Sequence, residues 1–243
     1  MEVAEYARIA AVEDDHWWYK NTRALARDLL SEHLTRDQLF LDAGCGPGGN
    51  GAWLAEHGVV VGADISLDAV RFVQARWPDT LPVQASVSAL PFAGGTFDVV
   101  LAITVLTCVP DDTSAIRELA RLVRPDGVLL LIEPAFDGLR RAHDVTVHSL
   151  RRYRRRSLAD LTRAAGLRVE RATYAYSFLA PAAAVLHVAE RRKLAEPPGD
   201  KGSDTERRRL DGVFAPLGRV ERRWLARHNL PVGTSAVVVA TKT

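Results

Sequence analysis

The sequence predicts an α/β protein built on a doubly wound, mainly parallel sheet. Three observations carry this. An apolar strand, Leu39 to Asp42, runs into the glycine turn Ala43-Gly44-Cys45-Gly46-Pro47-Gly48-Gly49 and then a helix reaching about His57. A second apolar strand, Val59 to Ala63, ends in Asp64, 22 residues after Asp42. Beyond it, apolar runs and amphipathic runs keep alternating as far as Glu133, as βα units do.

The glycine turn is a ligand cradle. Glycines accept φ > 0 and let a ligand approach the backbone, and the following helix aims its unpaired N–H groups at the turn. Gly44, Gly46 and Gly49 fit the dinucleotide fingerprint G-x-G-x-x-G. The same residues also read Asp42-x-Gly44-x-Gly46-x-Gly48. A carboxylate beside the first glycine repels a pyrophosphate and attracts a cationic amino group, which favours S-adenosylmethionine over NAD. At the end of the second strand Asp64 is placed to accept ribose hydroxyls, which both ligands carry.

The remaining elements follow in order. The amino terminus holds Tyr6 and the aromatic group His16-Trp17-Trp18-Tyr19, with a helix expected from about Thr22 to His33. Two adjacent tryptophans cannot share one helix face, so this segment either plugs onto the domain or forms a lid that brings Trp18 and Lys20 or Arg23 to a ligand. Leu67 to Trp77 reads as a helix stopped by Pro78, and Pro82 to Ala85 as a short strand. Phe97 to Ile103 is nearly all apolar, as a central parallel strand should be, and runs out at Thr104. Asp112 to Val123 is a helix ended by Arg124-Pro125-Asp126-Gly127, and Val128 to Ile132 the fifth strand.

Composition bounds the function. With 243 residues and 47% hydrophobic content, the chain suits one large domain with a core. Net charge is +2, and the short arginine clusters at 151–156, 207–209 and 222–223 read as solvated helix faces, not a nucleic-acid surface. Two cysteines, one in the glycine turn, fit a reducing cytoplasmic setting. No signal peptide and no apolar run near 18 residues is present, so no integral membrane segment is expected.

Several pieces together resemble the class I S-adenosylmethionine-dependent methyltransferases, in the small-molecule group related to ubiquinone and menaquinone methyltransferases. They are LDAGCGPG (41–48), VVVGADIS (59–66), SALPFAGGTFDVVLA (88–102), VLTCVPD (105–111) and LARLVRPDGVLLL (119–131). The resemblance implies a Rossmann-like sheet of seven strands, order 3-2-1-4-5-7-6, with the last antiparallel. Leu167 to Thr173 suits the sixth strand and Thr234 to Ala240 the seventh. It divides the chain into an aromatic cap (1–34), a cofactor core (35–174), a helical insertion (175–230) and the last strand (231–243). The resemblance implies S-adenosyl-L-methionine as cofactor, with S-adenosyl-L-homocysteine as its product. The implied contacts are Asp42, Gly44, Cys45, Gly46, Gly48, Asp64, Ile65 and Thr104, with Trp18 and Arg23 from the cap. Ser86 and Val87 stand where relatives carry an aspartate that grips adenine. Thr107-Cys108 replaces a common His-His pair. His16-Trp17-Trp18-Tyr19 and the segment His143-Asp144 to Arg151-Arg152-Tyr153 resemble a bacterial subgroup of biosynthetic enzymes.

Methyl transfer from a sulfonium needs nucleophile, methyl and sulfur in line, with water excluded. A hydroxyl or amine acceptor also needs a base, and His16, His143 and His148, with Tyr153 nearby, are the candidates. No H-x-x-x-H or C-x-x-C spacing points to a metal. Within the insertion, helices are expected over Pro181 to Arg192 and Glu206 to His228, separated by a mobile Ala195 to Thr205. Its start, Tyr174, Tyr176 and Phe178, suggests a fairly apolar small-molecule acceptor, methylated at O, N or C. A non-methylating reaction such as cyclisation, or a non-catalytic cofactor-binding role, is the alternative. A monomer or homodimer is expected.

Overall fold

The computed structural model describes residues 3–140, 142–183, 185 and 211–243. Its sheet has the order β3-β2-β1-β4-β5-β7-β6. The strands are β1 (Gln38–Ala43), β2 (Gly58–Asp64), β3 (Thr80–Gln84), β4 (Phe97–Ile103), β5 (Val123–Pro134), β6 (Arg168–Ala175) and β7 (Ser235–Thr241). Neighbours from β3 through β5 pair in parallel, whereas β7 runs antiparallel to both β5 and β6. The seven strands, their order and the reversed last one agree with the expectation.

Side chains alternate across a strand, so each central strand feeds two cores. Leu41, Ala43, Val100, Ala102, Leu129 and Leu131 pack on one face against α5 (Asp112–Leu122) and α7 (Arg155–Ala164). Phe40, Val99, Leu101, Leu130 and Ile132 pack on the other against α2 (Trp17–Leu30), α3 (Gly51–Ala55) and α8 (Asp211–Leu225). Two further helices are α4 (Leu67–Arg76), next to β2 and β3, and the short α6 (Ala142–Thr146).

Differences from expectation have local causes. The amino terminus forms an additional helix, α1 (Val3–Val12). α2 begins five residues earlier than expected because His16 caps it, its Nδ1 accepting the Trp18 N–H at 3.3 Å. The Arg124-Pro125-Asp126-Gly127 turn lies inside β5 as an irregularity, pairing skipping from Phe97↔Val123 to Val99↔Val128 with Asp126 at φ 60°. Of the expected insertion, α8 falls within the predicted 206–228 helix. The 195–205 stretch and most of the 181–192 helix lie outside the described residues. Among the described residues no helix is long and apolar enough to cross a membrane.

Candidate cofactor and acceptor site

Sheet order reverses at β1: the chain moves outward to β2 and β3, then returns to place β4 on the other side. Ligands bind at such a switch point, outside the carboxyl ends of the strands. The backbone marks this edge. Gly44, Thr104 and Tyr176, just past β1, β4 and β6, and Phe136, two residues past β5, have φ of 74°, 58°, 60° and 59°. A β-branched threonine in this region costs about 1–3 kcal/mol, and such strain collects where a ligand edge is built. Thr104 is held there by its own N–H, which donates to Ile132 O at 2.7 Å.

Glu133 supports the same exit. Fully buried, it accepts N–H bonds from Val105 (3.0 Å), Leu106 (2.9 Å) and Thr107 (3.1 Å). It is therefore a structural clasp on the loop after β4. That loop reaches the glycine turn, where a Cβ at Gly44 would collide with Val105. Nothing lies within 4 Å of a Cβ built on Gly46, so the loop opens to ligand there.

Asp42 and Asp64 flank this opening. Asp42 is buried, and Asn50 Nδ2 donates to both its oxygens at 3.2 Å. Burial pushes its carboxyl up to about 7; Asn50 opposes this, whereas nearby Glu13 and Asp64 add to it. Three donors hold Asp64: Gly46 N–H at 3.0 Å, Ser66 N–H at 2.9 Å and the Tyr6 hydroxyl at 3.3 Å. Next to it, Ile65 is 70% exposed, an uncommon state for isoleucine and an apolar surface at the ligand edge. Cys45 is buried, its thiol pushed well up by burial and the two aspartates, and so is inert. Gly48, at φ 91°, sits against Trp77 and Val73 of the α4 region.

The amino-terminal segment roofs the turn. Arg23 Nη2 donates to Glu13 O at 2.6 Å, and a Cβ at Gly49 would meet Arg23 Nη1 at 2.8 Å and collide with Glu13 Oε2. Burial lowers the Arg23 pKa. Arg76 ties this roof down through Glu13, Asp14 (2.8 Å) and Pro47 O (3.3 Å). Trp17 is buried, while Trp18 is only partly so. Trp17 meets Phe214 at 5.0 Å, Tyr176 at 6.1 Å and Phe178 at 6.2 Å between ring centroids, and Trp18 lies 6.5 Å from Tyr176. Cap, β6 exit and α8 thus form one aromatic wall.

Elsewhere the predicted residues scatter. His16 is a buried helix cap. His148 is exposed at φ 57°, in a segment whose Leu150 N–H donates to Thr107 O. His143 is the second residue of α6, and its side chain lies outside the described residues. Tyr153 donates to Asp112 at 2.7 Å, and burial beside that acid keeps it protonated, so it pins the chain between β5 and α5. Asp144 takes both ends of a bidentate pair with Arg152 at 2.8 Å, which braces the same segment. Ser86 Oγ accepts the Ser88 N–H at 3.2 Å and keeps its own proton to donate, while Val87 packs into the core. Cys108 is an exposed residue whose thiol donates to Val147 O at 3.2 Å; partial desolvation of the sulfur and the nearby Glu133 push it up to about 11, which leaves it a thiol. Among the described residues no cluster suits a metal ion. Sequence reasoning missed Tyr6, Glu13, Asn50 and Arg76. Of these only Asn50, a polar residue opening the helix after the turn, carries a local signal.

Comparison with known proteins is consistent with this geometry. Residues 41–131 match a family model described as a methyltransferase domain. A malonyl-[acyl-carrier protein] O-methyltransferase of Enterobacter lignolyticus is 37% identical over 101 residues, covering 41% of this chain and 40% of that protein. A trans-aconitate 2-methyltransferase of an Azoarcus species is 35% identical over 147 residues, 57% of this chain and 55% of that one. The chain thus spans about half the length of these curated relatives. A solved 1,6-didemethyltoxoflavin-N1-methyltransferase of Burkholderia thailandensis, with bound 1,6-didemethyltoxoflavin and S-adenosylhomocysteine, superposes with a TM-score of 0.59. That alignment covers 99% of this chain and 87% of the other at 20% identity, which speaks for the fold alone.

Proposed function

We propose that this chain, whose residues 41–131 match a methyltransferase domain on a sheet of order 3-2-1-4-5-7-6, is a class I S-adenosylmethionine-dependent methyltransferase that methylates a fairly apolar small molecule. One observation carries the reading. Asp42 and Asp64 flank a glycine turn that is open at Gly46 and roofed by Arg23. This donor set fits the cofactor end to end. Asp42 suits the ammonium, Arg23 the carboxylate and Asp64 the ribose, while exposed Ile65 and the Ser86 hydroxyl suit the adenine.

When bound, the cofactor supplies an electrophilic methyl on a sulfonium. The chain's own residues orient and enclose. The strained exit at Thr104, fixed through Glu133, sets the floor beside the turn. Buried Trp17 and Tyr176 back the aromatic wall, and the partly exposed Trp18, Phe178 and Phe214 exclude water and offer apolar surface to an acceptor. Tyr153 ties to Asp112 and His16 caps α2; among the candidate bases, His148 and His143 are the first to test by substitution.

Calorimetry on the purified full chain tests the cofactor. S-adenosylhomocysteine should bind and NAD should not; the reverse pattern sinks the reading. Methyl-labelled cofactor then tests the reaction, since transfer must carry the label into the acceptor and a cyclisation leaves it behind.

A further inference from the structure

Tyr6 belongs to no motif, yet it reaches the centre of the site from α1. It is buried, and its hydroxyl donates to Asp64 Oδ1 at 3.3 Å. The Ser66 N–H donates to the same oxygen at 2.9 Å, and the Gly46 N–H to Oδ2 at 3.0 Å. A carboxylate offers about four acceptor positions, two on each oxygen. Oδ1 is therefore filled, and Oδ2 has one position left. A ribose brings two hydroxyls, so Asp64 held in this way accepts only one of them.

The second hydroxyl finds its acceptor next door. A phenol both donates and accepts. Tyr6 gives its single proton to Asp64, and burial beside that acid raises its pKa, so it remains a phenol. With that proton given away, the phenol oxygen still has lone pairs with which to accept. That oxygen lies 3.3 Å from Oδ1, on the same carboxyl group as Oδ2, so the phenol oxygen and Oδ2 stand side by side where neighbouring hydroxyls of a cis-diol can meet them. We propose that Tyr6 is a second ribose-binding residue, with the diol shared between Asp64 Oδ2 and the Tyr6 hydroxyl oxygen. This rests on the nucleoside-cofactor reading above, and it makes α1 part of the cofactor site.

The test uses 5′-methylthioadenosine and its 2′-deoxy and 3′-deoxy forms, titrated by calorimetry into the full chain and into Tyr6→Phe. In the wild type each lost hydroxyl should weaken binding about tenfold. In Tyr6→Phe the parent ligand should weaken about tenfold, and one of the two deoxy penalties should vanish because its partner has gone. A merely structural tyrosine would weaken all three ligands equally and leave both penalties intact, and that result overturns the proposal. Tighter binding by Tyr6→Phe overturns it too, since the tyrosine would then compete with ribose. If the wild type binds neither 5′-methylthioadenosine nor S-adenosylhomocysteine, the cofactor reading itself fails. If it binds both and Tyr6→Phe keeps both penalties, only the role of Tyr6 fails.

Discussion

Asp42 should make cofactor binding depend on pH in a way that belongs to one residue. Burial holds its carboxyl at about 7 instead of the ordinary 3.8, with Glu13 and Asp64 adding repulsion. A cationic ammonium beside it favours the carboxylate, so binding lowers the pKa and releases a proton. Affinity for S-adenosylhomocysteine must then rise with pH and level off above 7. With the bound form ionised throughout, the fraction ready to bind is about one in eleven at pH 6 and about ten in eleven at pH 8, so Kd should be about tenfold weaker at pH 6. The cofactor-free protein shows the matching stability effect. Because the native state holds this proton and the unfolded chain does not, Asp42 lowers stability progressively as pH rises from about 4 to about 7, by at most about 4 kcal/mol. Calorimetry from pH 5.5 to 8.5, in buffers of different ionisation enthalpy, measures both the affinity and the proton released. Asp42→Asn should flatten the profile and weaken binding at pH 8 by about ten- to a hundredfold. A flat wild-type profile, or an unchanged slope in Asp42→Asn, would falsify the assignment of this acid to the cofactor's cationic end.

Other perturbations probe the frame. Glu133→Ala leaves two buried and one part-buried N–H group without an acceptor and should cost about 3 kcal/mol in urea unfolding; a loss below about 1 kcal/mol would contradict the clasp. Gly44→Ala meets Val105 at φ 74° and should lose about 1–3 kcal/mol of stability together with cofactor affinity, seen by thermal shift with and without S-adenosylhomocysteine. Tyr153→Phe should lose about 1 kcal/mol of stability and leave turnover within about threefold. A hundredfold fall in kcat would instead place its hydroxyl in the chemistry.

The amino-acid order by itself determined the β-α frame and the strand–glycine turn–strand segment that carries the proposed donor half of the site. Asp42, the glycines and Asp64 sit within 23 residues, where strand period, glycine conformational freedom and turn chemistry are local properties. Element ends shifted where a local rule met tertiary pairing, as when β5 absorbed Arg124–Gly127 because β4 continued beside it. Tertiary structure alone decided which distant groups meet. Tyr6 comes to Asp64 across 58 positions, Glu13 to Arg76 across 63, and Thr22 to Tyr176 across 154 at 2.6 Å. It also decided that Glu133 is a clasp and Tyr153 a tie, because their neighbours come from other strands and helices. No periodicity encodes such pairs. They arise when two helices pack over one sheet edge, and there Tyr6 and Arg23 join the glycine turn.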